Sequence, residues 1–489
     1  MAKETGPQTV RVPLVGTFNQ RPATAGAFLT GKDQRFVNFI PFKKMNPLTE
    51  KPTYACVKRP GFEAYSTPAA VAATALHVFE GTGSGTTLIS AFGATTSTIY
   101  ENTTSKGALA ANSRVRGFIE TNMSGTATVV MACNDSRAYY YPVGGAVTEI
   151  TDTDYPGKAS RTTVGNFVEL DGYLFIMDTT GRIYNSDINS ITAWTSTSYQ
   201  TPTLYPANGV GLARHRDSVV AFTKSSVEFY NNVGAPLGSV LGRRDSQVHS
   251  VGGVLPAGVG VTHLQVEDEV YFIGVSRTGS AGIYRIKNFE IEKVSTFVLD
   301  AQLEVFGAQN ATLTHGKWWG RKHLIVHAGQ SFALNIDDNI WWEFAAGIGT
   351  FMFAGSSHGD ALLFAVSSTD TNGKIYKLNT STPVYQDNAV AYTGTIQTSK
   401  LDFDSEARKR FHFVKLIGNE EASTTTVGIS WSDDDYQTFT TERNVDMSAA
   451  RAYLANCGMA RRRAFKLTSA TNTPCYIEAI ELVISGMTK

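Results

Sequence analysis

Cysteine is scarce in this chain: 489 residues hold four, Cys56, Cys133, Cys457 and Cys475. None forms a C-x-x-C pair and no histidine stands at zinc-finger spacing from them, which excludes a zinc module. So few thiols in so long a chain read as free thiols of a reducing compartment, with a Cys457–Cys475 bridge as the alternative. No run of 18 apolar residues occurs, so a helical membrane span is excluded. The opening Met-Ala-Lys-Glu-Thr-Gly-Pro-Gln lacks the apolar core of a secretory signal. Charge is low at 18%, and 43 Lys and Arg are matched by 43 Asp and Glu, so there is no general pull on nucleic acid. Leucine-rich amphipathic stretches are rare, whereas 44 glycines and 53 aromatics favour strands and turns. With 42% hydrophobic residues, wholesale disorder is ruled out and an all-β chain is expected.

The balance of charge is not local. Residues 1–66 carry ten basic and four acidic side chains, residues 67–400 carry 22 against 27, and residues 401–489 carry 11 against 12. The basic N-terminal stretch reads as a solvated face or as a clamp on an acidic partner or phosphate.

A strand closed by an aromatic or leucine recurs along the middle of the chain. Its last residues are Tyr100, Tyr140, Tyr184, Tyr230, Tyr284, Leu334 and Tyr376, at spacings of 40, 44, 46, 54, 50 and 42. Most copies follow a second strand-like run, such as Tyr173–Met177, Ser218–Phe222, Val270–Ile273, His323–His327 and Leu362–Val366. Turn residues separate the two, as in Asp178-Thr-Thr-Gly181. This period leaves room for four short strands per unit, the size of a β-propeller blade. Six to eight blades fit, seven being favoured; unrelated hairpins of a sandwich are the alternative.

Two segments stand outside the period. Residues 1–66 read as an extended arm punctuated by Pro41, Pro47, Pro52 and Pro60, with strands at 35–40 and 54–57. Beyond a boundary near Pro383 come longer alternating strands at 392–398, 410–416, 426–431, 464–468 and 476–484. Alternation of this kind marks a sheet with one buried face, as in a β-sandwich. The expected organisation is therefore an arm over 1–66, a propeller over 67–383 and a β-rich domain over 384–489.

The segment Ser432-Asp-Asp-Asp-Tyr-Gln-Thr-Phe439 resembles the Asp-box hairpin of sialidase-like propellers, with Tyr436 at its glycine position and Phe439 at its tryptophan position. The resemblance makes Ser432, Asp434, Thr438 and Phe439 turn-fixing residues. A calcium site from Asp433, Asp434 and Asp435 is the sharper alternative, without the spaced oxygen ligands of a loop site. The pairs Asp152/Asp154 and Asp402/Asp404 each share a strand face, and His323 and His327 lie four apart without a third ligand. P-loop, G-x-S-x-G, H-E-x-x-H and Rossmann fingerprints are lacking, so no catalytic residue, metal or cofactor is expected. Arg461, Arg462 and Arg463 form the densest cationic spot. Successive strand residues project to opposite faces, so at least one must be buried and paired or meet another subunit. They are the candidates for a subunit interface.

Three patches together resemble one family. Arg35-Phe-Val-Asn-Phe-Ile-Pro41 with Lys58-Arg-Pro-Gly-Phe62, the stretch Asp217–Pro236, and Gly458-Met-Ala-Arg-Arg-Arg-Ala-Phe-Lys-Leu with Pro474 and Ala479–Ile484 are similar to the tail nozzle of short-tailed phages. That family is also called the tail accessory or packaged-DNA stabilisation proteins. The resemblance implies a propeller with an attached β-rich domain, assembled as a homo-hexamer below the portal and its adaptor ring. It also implies tail spikes, fibres or a needle as further partners, and duplex DNA crossing the lumen without sequence-specific contacts. Location would be the virion tail, after synthesis in the host cytoplasm. A neutral propeller offers few cationic traps to moving DNA. The alternative is a carbohydrate-binding or glycan-degrading propeller, which would need an Arg/Glu/Tyr cluster at the propeller axis.

Overall fold

The computed structural model describes residues 6–14, 34–45, 52–79, 87–123, 125–205, 207–235, 238–258, 260–276, 279–318, 320–345, 351–352, 364–367, 373–378, 383–403 and 405–486. Within them every repeated segment becomes the third strand of its own sheet. Tyr100 pairs with Ser90, Tyr140 with Val130, Tyr184 with Ile176, and Tyr230 with Val219. Tyr284 pairs with Phe272, Leu334 with Leu324, and Tyr376 with Ala365. Two of the second strands, Thr128–Cys133 and Ser218–Thr223, are buried at every position, and Thr87–Phe92 and Tyr173–Asp178 at all but the first. A strand covered on both faces by neighbouring blades reads as an unbroken apolar run rather than an alternating one. The hairpins between second and third strands are fixed locally. Asp178 accepts from the backbone of Thr180 at 2.9 Å and of Arg182 at 3.0 Å, and Gly181 takes the left-handed φ of 92° that the turn requires.

Seven such sheets make a seven-bladed β-propeller. Inner strands of the first six blades, Ala73–Phe79, Val115–Thr121, Thr163–Leu170, Gly209–His215, His263–Val266 and Thr312–Trp318, follow one another around the axis. The seventh blade is completed from elsewhere in the chain. Its strand Ile375–Leu378 pairs antiparallel with Phe62–Ser66, Leu378 facing Phe62 and Ile375 facing Ser66. The segment entering blade one thus supplies the outermost strand of blade seven, and backbone hydrogen bonds close the ring. Phe62–Ser66 lies on the arm side of residue 66 yet is a propeller strand.

The rest of the N-terminal segment docks along its length. Gln8–Pro13 pairs with Tyr476–Gly486, and Phe39–Met45 pairs with Pro52–Lys58, which also meets Tyr476–Gly486. Arg35–Val37 lies between Ile340–Phe344 of blade six and Gly394–Gln397. Through it the sheet of blade six runs on into Gly394–Gln397, Ala464–Ser469, Thr426–Ser432 and Arg443–Asp446. The other C-terminal sheet centres on Tyr476–Gly486 and Lys409–Gly418. Between the two sheets, Phe36, Phe39, Phe411, Trp431, Phe465, Leu467, Ile480 and Leu482 form one apolar core, continuous with Trp342, Phe62 and Tyr376 of the last two blades. Each such side chain fully removed from water contributes about 1.5–3 kcal/mol. The four cysteines are buried free thiols.

Candidate functional site

The inner strands enclose an axial cavity of about 1190 Å³. Its wall carries Glu120, Glu169 and Glu267 against Arg116, Arg214, Lys317 and Lys322. These charges are tied into the wall. His77 lies 2.8 Å from Glu120, and Lys322 is paired with Glu267. Arg116 donates to the carbonyls of Thr163 at 2.9 Å and Cys133 at 2.5 Å, while Arg214 reaches the carbonyl of Glu169 at 3.3 Å. Burial pushes His263, whose ring stacks on Phe222, down to about 4. No tyrosine lines the cavity among the described residues. The Arg/Glu/Tyr constellation of a sialidase-like site is not assembled there.

The hairpin after strand Thr426–Ser432 gathers its polar groups on one carboxylate. Asp434 Oδ1 accepts from Ser432 Oγ at 2.8 Å and from the Thr438 amide at 2.9 Å, and its Oδ2 accepts from Thr438 Oγ1 at 2.5 Å. The Thr438 and Ser432 hydrogen bonds hold this carboxyl at about 2. Tyr436 has a left-handed φ of 65°, an unfavourable setting for a side chain. Burial of its ring and a 3.0 Å bond from its hydroxyl to the Thr398 carbonyl offset that strain. Phe439 stays half-buried, with Lys466 Nζ 5.5 Å from its ring centre. The aromatic packing beneath this turn is therefore Tyr436, not Phe439. The three carboxylates turn to different partners: Asp433 to Arg463, Asp434 to its own turn, and Asp435 to Lys400 at 3.0 Å.

Arg463 is 1% exposed. Its Nε and Nη2 grip Asp433 at 2.7 and 2.8 Å, Nη1 donates to the Cys457 carbonyl at 2.5 Å, and Phe411 lies 4.1 Å from the guanidinium. This corrects its place in the candidate interface. An arginine enclosed by its own domain has no face left for another subunit. Arg461 and Arg462 are exposed, in the bend that precedes the bridge at Arg463.

The remaining candidates are separate structural groups. Asp152 accepts from the amides of Asp154 at 2.8 Å and Trp194 at 3.0 Å. Asp404 lies outside the described residues. His323 is buried against Trp342 and pushed by burial to about 3, whereas His327 meets Ser331 Oγ at 3.2 Å. Among the described residues no group of three His, Cys, Asp or Glu side chains is placed to hold a metal ion.

The most elaborate polar site is one that residue patterns did not mark. Arg59, 1% exposed, uses all five N–H donors. Nε reaches Asn38 Oδ1 at 2.8 Å, Nη1 reaches the Pro60 carbonyl and Asp387 Oδ1 at 2.9 Å each, and Nη2 reaches Ala345 at 3.0 Å and Asp387 Oδ2 at 2.6 Å. Tyr392 and Phe344 lie 3.8 and 4.3 Å from the guanidinium. Burial acts to lower the Arg59 pKa, but the Asp387 and Tyr392 charges outweigh it, and the net direction is upward. This arginine ties the N-terminal segment, blade six and the C-terminal region at one point.

Comparison with known proteins bears on the propeller. The model of a phage-stabilisation family, described as bacteriophage P22 Gp10, beta-propeller, matches residues 80–336, just over half of the chain and most of blades one to six. No curated protein matches the sequence. Among solved structures, a Mycobacterium tuberculosis puromycin-hydrolyzing peptidase is similar at 11% identity and TM-score 0.41, over 70% of this chain and 60% of that one. Raptor of Chaetomium thermophilum is similar at 12% identity and TM-score 0.39, over 73% of this chain and 30% of that one. BamB from Moraxella catarrhalis is similar at 12% identity and TM-score 0.32, over 70% and 97%.

Proposed function

Since this chain belongs to the bacteriophage P22 Gp10 β-propeller family and is thereby a phage structural protein, we propose that six copies form the nozzle ring of a short-tailed phage. The ring sits below the portal and adaptor, retains packaged DNA and conducts it at ejection. The family match across the blades carries this reading. The cavity supports a path for DNA between copies rather than through a propeller. Its volume of about 1190 Å³ is close to the scale of small-molecule sites, about 300–1000 Å³, and its wall charges are held by protein partners. A lumen built by several subunits gives a wider path.

In this role the chain is not an enzyme and takes no cofactor; its parts are load-carrying. Contacts between like subunits in a ring are heterologous, one surface meeting a different one. On the propeller, exposed apolar side chains such as Ile188, Val233 and Val305 are spread over different blades and the helix Phe297–Phe306, and those of the C-terminal region, Phe413, Tyr453 and Met459, stand among exposed arginines. Dilute chains are therefore monomeric and close into a ring where an adaptor–portal template raises their local concentration. Spikes, fibres or a needle would attach to the completed ring. The test is electron microscopy of the purified chain alone and with its adaptor–portal complex. Six copies joining the template are expected; stable hexamers of the isolated chain at sub-micromolar concentration would refute templating, and failure to bind the template would refute the nozzle.

A further inference from the structure

One face of the C-terminal region carries arginines that no carboxylate among the described residues meets. Strand Lys409–Gly418 pairs antiparallel with Met459–Ala460, Lys409 facing Ala460 and Arg410 facing Met459. Opposed residues project to the same side and alternate residues share a side. Arg410 and Met459 therefore share the outer face, where the flanking Arg408 and Arg461 are also exposed, while Lys409, Phe411 and Ala460 are buried. Further along, Lys415 faces Tyr453, two residues after the exposed Arg451. Phe413 and Tyr453, both exposed, meet edge to face at 5.7 Å between the two groups of cations.

Among the described residues, the side chains of Arg408, Arg410, Arg451 and Arg461 meet no carboxylate, whereas Lys415 has Glu481 at 4.0 Å. Asp402 and Glu406, acidic and close in the chain, act on the buried Lys409. Several exposed acids of the described surface are already satisfied: Asp217 by Arg244, Asp245 by Arg243, Glu267 by Lys322 and Glu292 by Arg285. A continuous phosphate backbone would match all four arginines at once. Arginine's planar fork suits phosphate oxygens. With Arg408 continuing the extended run into strand Lys409–Gly418, a rise of about 3.4 Å per residue spaces it about 6.8 Å from Arg410, the axial rise of two successive charges of one DNA strand at about 3.4 Å each. The seven steps from Arg408 to Lys415 span about 24 Å, within one helical turn of about 34 Å.

We propose that this face, with Arg408, Arg410, Arg451 and Arg461 around Phe413 and Tyr453, is a sequence-independent binding surface for the phosphate backbone of duplex DNA. It rests on the reading that DNA passes alongside the assembled chains, and it gives that passage a place on the subunit. The rings supply apolar contact to the sugars; the arginines supply salt-dependent attraction.

The test is fluorescence anisotropy of the full chain with a random-sequence duplex of about 30 base pairs across a salt series. Each neutralised phosphate contributes about −0.9 to the slope of log K against log salt, so four arginines predict about −3.6. The variant Arg408→Gln/Arg410→Gln/Arg461→Gln should lose about 2.7 of that magnitude and keep its melting temperature. Lys224→Gln, at an exposed propeller turn, should leave the slope unchanged. A wild-type slope near zero, or a triple-variant slope equal to wild type, would overturn the proposal. So would competition by polyglutamate as strong as that of DNA at equal charge, which points to an acidic protein partner. A triple variant that no longer joins the adaptor template but keeps its DNA slope assigns the face to a protein contact and also overturns it. If the DNA slope holds while the wild-type chain does not join the template, the nozzle reading fails and this surface stands.

Discussion

Asp387→Leu is the substitution whose consequence follows most directly from the structure. Asp387 is fully buried and grips Arg59 through both oxygens, at 2.9 and 2.6 Å, while its Oδ1 also accepts from the Phe62 amide at 3.1 Å. Leucine at that site leaves an enclosed guanidinium without a counter-charge. Breaking one side of a buried pair costs about 3–5 kcal/mol, because the orphaned charge stays desolvated. The damage is placed where it matters. Phe62 opens the strand that closes blade seven, and Asn38 and Ala345, also held by Arg59, flank the sheet shared by blade six and the C-terminal region. Urea unfolding followed by fluorescence would report this through Trp342 and Trp431, which lie in the same core. At an m-value of about 3 kcal/mol/M, the midpoint should fall by at least about 1 M. The double variant Arg59→Met/Asp387→Leu removes both charges and should be less destabilised than Asp387→Leu alone. Its residual loss of about 1–3 kcal/mol would come from the unpaired Phe62 amide and Asn38 side chain. A single-variant loss below about 1 kcal/mol, or a double variant as unstable as the two singles added together, would refute the reasoning.

Three further outcomes are expected. Asp434 is held at about 2 in the fold against about 3.9 unfolded, so its hairpin contribution is present above pH about 4 and fades as pH falls towards 2. Asp434→Asn should lower the melting temperature at neutral pH and remove that part of the acid dependence; an identical acid profile would contradict the role of its carboxylate. His263 and His323, pushed by burial to about 4 and about 3 from an unfolded value of about 6.5, bind protons more readily when unfolded. Stability should therefore be full above pH about 6.5 and decline below it. His263→Phe, which retains a ring against Phe222, should flatten that decline in melting curves, and an unchanged pH slope would count against it. Deleting residues 1–66 removes the partner strands of Ile375–Leu378 and Tyr476–Gly486, leaving open sheet edges that favour aggregation. A monomeric truncated chain with wild-type hydrogen-exchange protection in blade seven would show that closure does not depend on Phe62–Ser66.

The propeller was legible because third strands sit between neighbouring blades. The same large residue recurs at Tyr100, Tyr140, Tyr184, Tyr230, Tyr284 and Tyr376 for one packing reason, and local turns such as that at Asp178 separate the strands. Closure was not legible. Alternation tells which face of Phe62–Ser66 is buried, not that its partner lies about 310 residues away at Ile375–Leu378. The same holds for Arg59: the run Lys58-Arg-Pro-Gly-Phe62 is visible as a motif, but its acid sits 328 residues on, in the two-residue strand Gln386–Asp387, too short for any periodic signal. At the arginine triplet, alternation implied one inward side chain. Identifying it as Arg463 required the position of Asp433 across the sheet. In the Asp-box-like hairpin the motif fixed the polar bonds of Asp434, whereas the aromatic choice followed from backbone geometry that turns Tyr436 inward.

The ring itself is tested most directly by a cryo-electron microscopy reconstruction of the virion that carries this chain, taken without imposed symmetry about the tail. Six copies per particle, as seven-bladed propellers in a closed ring directly below the adaptor, with the arginine-bearing face of Lys409–Gly418 turned towards DNA density, are the predicted result. A virion in which this chain is absent from the tail axis, or in which it forms a peripheral fibre or spike away from the DNA path, would contradict it.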